Sequence, residues 1–191
     1  MVFYEWVIAL VDKGRVTDLD RSKAFETVTH NILVSKLERC GSDWQNTCWI
    51  RTLLYGCTPR VAVKSLLSRW RPVMTGIPHR SVLGPVLFSI FFRGTDSGIE
   101  CILRKFADKS KLSSEVDTLE GRNIIPGDLD RLERWAHVNV MQFNKAKCNL
   151  LHLSRGNTKH RYSLGNEGIK STPDEKDLGV LVDEKLNKSW Q

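Results

Sequence analysis

The sequence predicts an α+β domain built on a largely antiparallel sheet. Three observations carry that expectation: helix-period segments are mixed with short β-rich runs, two pairs of runs have hairpin spacing, and apolar residues make up 41% of the 191 residues. With 27% charged residues, this is the balance of a chain able to bury a core. A net charge of +7 and a pI near 9.3 favour anionic partners, nucleic acid first among them. Cys40, Cys48, Cys57, Cys101 and Cys148 show neither CxxC nor zinc-type spacing and read as reduced intracellular thiols. "MVFYEWVIALVDKGR" lacks a basic leader and a cleavage site, and "VLGPVLFSIFF" is too short to span a bilayer. The expected location is therefore intracellular, cytoplasmic or nuclear, with neither secretion nor a membrane partner.

The elements follow in order. "VTDLD" reads as a strand ending at Asp20. "SKAFETVTHNILVSKLERCG" reads as one helix, with Val28, Ile32, Leu33 and Leu37 near helical spacing and Gly41 as its stop. "WQNTCWIRTLLYG" repeats the pattern, with Trp49, Leu53 and Leu54 on one side and Gly56 as terminator. "RVAVK" and "WRPVMTG" pair as a hairpin, and Ser81 to Phe92, apolar nearly all round, predicts a buried helix. "IECILRKFAD" is a strand running into a turn at Asp108, and "KLSS" begins the return. Asp117 and Glu120 have capping-box spacing, and the helix they open should break at Pro126-Gly127 before resuming through "DLDRLERWAHV". "CNLLHLS", "RYSLG" and "DLGVLVD" supply later strands, while Trp44, Trp49 and Trp135 read as core.

Asp20 and Asp108 each stand where a strand ends. Two-metal phosphoryl transfer uses such positions, because two magnesium ions about 4 Å apart must be clamped by carboxylates from separate strands. Taken singly, each aspartate is more often a turn or N-cap residue. "TGIPHRSVLGP" could present backbone N–H groups to a phosphate or base, or be a structural turn before a helix. Lys145 and Lys147 in "FNKAKCNLLHL" could meet a triphosphate or simply face solvent.

Order and spacing decide between these readings. "LDRSKAFETVTHNILVSKL", "GIPHRSVLGPVLF", "KFADKSKL", "LERWAHVNVMQFNKAKCNLLHL" and "EKDLGVLVDEKL" follow one another as in the reverse transcriptases of non-long-terminal-repeat retrotransposons, the jockey-like and related vertebrate elements. The resemblance covers the chain from about Glu5 to its end. It implies a polymerase palm, an antiparallel sheet backed by helices, with residues 16–155 as palm core and 156–191 as primer-grip region. It also implies that Asp20, Asp108 and the Arg21 peptide carbonyl hold magnesium, with Asp20 and Asp108 catalytic. Phe25 matches the aromatic gate against a ribose 2′-OH, His79 and Arg80 match the substrate-contacting loop, and Lys147 matches a triphosphate contact. The implied partners are an RNA template, a DNA primer and deoxynucleoside triphosphates.

The departures from the family pattern cluster on the chemistry. Lys109 replaces the second aspartate of the turn, His79 a glutamine, Arg80 a glycine and Glu26 an aspartate. The strand before Asp20 reads about three residues short, and against the family pattern the expectation is a chain with fingers and thumb largely missing and no endonuclease domain. The expectation is a truncated, degenerate copy of an RNA-directed DNA polymerase, catalytically inactive. The alternatives are a non-catalytic nucleic-acid-binding or interaction fragment, or a translated fossil without a selected role.

Overall fold

A computed structural model describes residues 14–56, 62–63, 66–67, 73–78, 81–115, 119–152, 160–177, 180–183 and 188–190. The chain divides into two compact units. Met1–Ser22, Asp96–His137 and Gln142–Gln191 make the first; Lys23–Thr95 with Val138–Met141 make the second.

The first unit is organised by strand β1, Gly14–Asp20, seven residues long. It pairs antiparallel with β5, Lys109–Glu115, and with β6, Asn149–His152. Of the remaining strands up to β9, β2 (Ala62–Val63) pairs with β3 (Leu66–Leu67), β4 (Ile102–Phe106) forms a hairpin with β5, β7 (Ser163–Leu164) pairs with β8 (Glu167–Gly168), and β9 (Lys170–Thr172) lies parallel to β6. The sheet order is β4-β5-β1-β6-β9, antiparallel but for that last pair, so the α+β expectation holds. Strand alternation sends Leu19, Leu112 and Leu150 to one face. They form a core there with Ile125, Leu129 and Leu132 of the helix Leu119–Val138.

That helix is continuous, which corrects the expected break at Pro126-Gly127. The magnitudes explain why. An interior proline costs ~3 kcal/mol, whereas fully burying each of Ile125, Leu129 and Leu132 returns ~1.5–3 kcal/mol. Pro126 itself lies on the exposed side. Asp128, fully buried, adds a polar clamp: its carboxylate accepts from the backbone N–H of Glu100 at 3.0 Å and Cys101 at 2.7 Å, and from Arg131 at 2.7 Å. These bonds fix the run into β4 against the helix. The expected N-cap Asp117 lies outside the described residues.

The second unit is helical. The single helix expected from Ser22 to Gly41 is two, α1 (Ala24–Thr27) and α2 (His30–Arg39). Between them Val28 and Thr29 are extended, β-branched residues that suit strand geometry. Thr29 bridges Thr75, so backbone pairing outweighs helical continuity at this point. Gly41, at φ 77°, stops α2 as expected. Asp43 caps α3 (Trp44–Tyr55) by accepting from the Asn46 N–H at 2.7 Å.

The buried stripe of α3 is Thr47, Ile50 and Leu54, leaving Trp44 and Trp49, expected in the core, 71% and 54% exposed. Trp135, in the first unit, is half-buried. The expected hairpin is also displaced, because Ala62–Val63 pairs with Leu66–Leu67 while Thr75 takes Thr29. The helix α4, Leu83–Phe91, buries Gly84, Leu87, Phe88 and Phe91 but exposes Val86, so it is one-sided rather than buried all round.

Candidate active site

In the first unit, period-2 alternation along β1 puts Asp18 and Asp20 on the sheet face opposite Leu19. Their cross-strand partners are Lys111 and Lys109. Phe106 pairs with Lys109, so the β4–β5 turn consists of Ala107 and Asp108 alone. Ala107 has φ 50°, the left-handed geometry that a two-residue hairpin turn requires and that costs a non-glycine residue about 1 kcal/mol.

Arg21 holds this turn from within. It is 2% exposed, donates from Nη1 to the Asp108 carbonyl at 3.2 Å and from Nη2 to Ser110 Oγ at 2.8 Å, and packs 5.5 Å from the Phe143 ring centroid. Burial lowers its guanidinium to about 10, against the opposing pull of Asp108. The backbone beside it is tied down by Asn144 N–H to the Asp20 carbonyl at 2.8 Å and Ser22 N–H to the Gln142 carbonyl at 3.0 Å.

Two ammonium groups reach the aspartates. Lys109 Nζ lies 3.3 Å from Asp18 Oδ2, and Lys147 Nζ, from the 3₁₀ turn Lys145–Lys147, lies 3.9 Å from Asp20 Oδ2. Even so, burial holds the Asp20 carboxyl above its ordinary range; Lys147 opposes that shift and Asp108 adds to it. Nearby, burial pushes the Cys148 thiol up to about 11.

The residues proposed as ligands do not fit a two-ion clamp. Among the described residues no three His, Cys, Asp or Glu side chains form a metal-holding group, and ammonium groups approach the oxygens of Asp18 and Asp20. The structure does bring together Asp20, Arg21, Asp108 and Lys147 within the first unit. Asp18 was missed in the sequence, although an Asp-x-Asp at the end of a strand is itself the signal for a shared face.

Phe25 belongs to the second unit, where its ring stacks on Phe88 with centroids 4.1 Å apart. The loop expected to contact substrate begins on the same unit. Gly76 N–H donates to the Val28 carbonyl at 2.7 Å, Ile77 N–H donates to the Phe25 carbonyl at 2.9 Å, and His30 Nε2 donates to the Gly76 carbonyl at 2.7 Å. Gly76 has φ 95°, and a Cβ there would sit 3.2 Å from the Glu26 carbonyl, so the close approach needs glycine. His79 and Arg80 lie outside the described residues. No described helix is long and apolar enough to cross a membrane.

Comparison with known proteins agrees with this arrangement. The family model described as reverse transcriptase (RNA-dependent DNA polymerase) matches residues 11–179. The chain is 27% identical over 181 residues to the RNA-directed DNA polymerase from mobile element jockey of Drosophila melanogaster, covering 90% of this chain and 20% of that protein. It is 26% identical over 179 residues to the counterpart of Drosophila funebris, covering 88% and 19%. It thus spans about one fifth of the length of these curated relatives.

Among solved structures, apo telomerase from Candida tropicalis, truncated from its C-terminal domain, superposes on all of this chain with TM-score 0.64 at 9% identity, over 38% of its own length. Telomerase from Candida albicans in complex with a fragment of telomeric RNA gives TM-score 0.62 at 12% identity, over 32% of its length. These two show the fold. With the family model matching residues 11–179, the chain belongs to the reverse transcriptase (RNA-dependent DNA polymerase) family.

Proposed function

We propose that the chain is the palm portion of an RNA-directed DNA polymerase whose polymerising chemistry is disabled. The observation that carries this is the convergence of Asp20, at the end of β1, with the Asp108 turn of the adjacent hairpin, in a register that sets Lys109 opposite Asp20. In the parent reaction a primer 3′-OH attacks a deoxynucleoside triphosphate on an RNA template and pyrophosphate leaves. On this reading Asp20 and Asp108 are the residual catalytic carboxylates, and with the Arg21 peptide carbonyl they stand where the family's magnesium site lies, a site that Lys109 and Lys147 obstruct. Phe25 is the sugar gate, His79 and Arg80 form the nucleotide-facing loop, and Lys147 contacts triphosphate. Residues 16–155 form the palm core and 156–191 run toward a primer grip, working in the cytoplasm or nucleus.

Lys109 is the principal lesion. Two unit positive charges ~4 Å apart repel by about 4 kcal/mol at an effective dielectric of 20, and a divalent ion is repelled more strongly. Primer extension on an RNA template in magnesium or manganese tests the reading. The parent should stay at background, Lys109→Asp should gain extension and divalent-ion affinity, and adding Asp20→Ala should abolish both gains. Unchanged ion affinity in Lys109→Asp would show that Asp20 and Asp108 do not act together.

A further inference from the structure

Three carboxylates and four cations meet at one end of the first unit's sheet. Lys109 reaches Asp18 at 3.3 Å, Lys147 reaches Asp20 at 3.9 Å, and Arg21 is bonded through the Asp108 carbonyl at 3.2 Å. Lys111, the register partner of Asp18, is the fourth cation on this face. Lys109 is notable for its direction: its register partner on β1 is Asp20, yet its ammonium reaches diagonally back to Asp18. The side chain therefore lies along the face that carries both aspartates. Asp18 and Asp20 are 4% and 11% exposed at their side chains, and Asp18 Oδ1 has no hydrogen-bond partner. Carboxylates this deep must be neutralised by a counter-charge or by a proton.

We propose that Lys109 and Lys147 are resident counter-ions, side-chain cations that neutralise Asp18 and Asp20 while Arg21 braces the Asp108 turn beside them, and that together they free this end of the sheet from any need of a divalent ion. The proposal concerns folding rather than turnover, so it stands whether or not the chain ever extends a primer. It also assigns a role to Asp18, which tethers the ammonium of Lys109. A lysine that merely pointed into solvent would leave the aspartates open to cations. One held at Asp18 keeps its charge on the carboxylate face permanently and at high local concentration.

The test compares the full chain with Lys109→Met, Lys147→Met and their double variant, melted in chelator and in millimolar calcium or manganese. Manganese affinity is read directly by electron paramagnetic resonance. The parent should melt at the same temperature in chelator and in metal. The variants should melt lower in chelator, regain stability with metal, and bind manganese at least about tenfold more tightly.

Asp18→Asn with Lys109→Met covers the case in which an unpaired carboxylate prevents folding. With both partners removed, this variant should melt near the parent in chelator and should lose the metal response of Lys109→Met. A parent stabilised by metal as strongly as its variants would overturn the proposal. So would a folded Lys109→Met with parental manganese affinity, or an Asp18→Asn, Lys109→Met pair that unfolds in chelator.

Discussion

Lys36 shows how one side chain can set a pH dependence. Half-buried on α2, it donates from Nζ to the Phe91 carbonyl at the end of α4 and lies 4.6 Å from the Phe91 ring centroid. Burial lowers its ammonium from the ordinary 10.5 to about 8, and Arg39 adds repulsion. Below pH 8 both folded and unfolded chains hold the proton, and the cost of the buried charge is fully present. Between pH 8 and 10.5 the folded chain has released a proton that the unfolded chain still holds, so the contribution of Lys36 to stability rises with pH. Lys36→Met should remove that rise while keeping the apolar contact. Urea midpoints of parent and variant across the window, taken as a difference, check it. The difference also cancels the buried Cys101 and Cys148 thiols, pushed up to about 12 and 11, which titrate in an overlapping range.

At the scale of elements, the helix Leu119–Val138 keeps its course through Pro126 because the apolar stripe below it dominates. Pro126→Gln restores one backbone N–H on the exposed side. It should raise stability by up to about 3 kcal/mol in chemical denaturation with helix content unchanged. A large gain in helical circular dichroism would instead mean that the helix is broken in solution. This element also marks what could be read from sequence. The β4–β5 hairpin, the helix stops at Gly41 and Gly56 and the strand ending at Asp20 are local signals, and they were legible. The split at Val28-Thr29, the intact Pro126 helix and the exposed Trp44 and Trp49 were not, because a tertiary partner decides each of them. At the site, Asp20 and Asp108 were legible as strand ends. The burial of the Arg21 side chain beneath the turn was not, since it depends on Ser110 and Phe143 far along the chain.

For the whole molecule, a net charge of +7 suits a nucleic-acid partner, yet several lysines of the first unit are already engaged. Lys105 pairs with Asp96 at 3.3 Å, Lys109 with Asp18, Lys145 with Glu133 at 3.9 Å and Glu167 at 3.7 Å, and Lys147 with Asp20. Each pair weakens the field that a phosphate backbone would feel. Binding of an RNA–DNA hybrid should therefore be sequence-tolerant and no tighter than the non-specific range of roughly 10⁻⁴–10⁻⁶ M, falling steeply between about 50 and 200 mM salt. Fluorescence anisotropy with the parent and with Lys109→Glu, Arg80→Gly checks this. Equal affinities would place the contact away from Asp20 and Asp108.

The central position of β1 also bears on how the chain is made. Its partners are residues 109–115 and 149–152, so the first described strand leaves the ribosome long before either partner exists. At about 5–20 residues per second, that wait is on the order of ten seconds. Meanwhile Lys23–Thr95, nearly the whole of the helical unit, is contiguous and can collapse on contacts within itself. A nascent chain stalled before residue 109 would carry a folded helical unit beside an unpaired, partly apolar strand. The carboxylates Asp18 and Asp20 on that strand then gain a second value during synthesis: as charges on an open edge, they discourage it from pairing with the same strand of another chain.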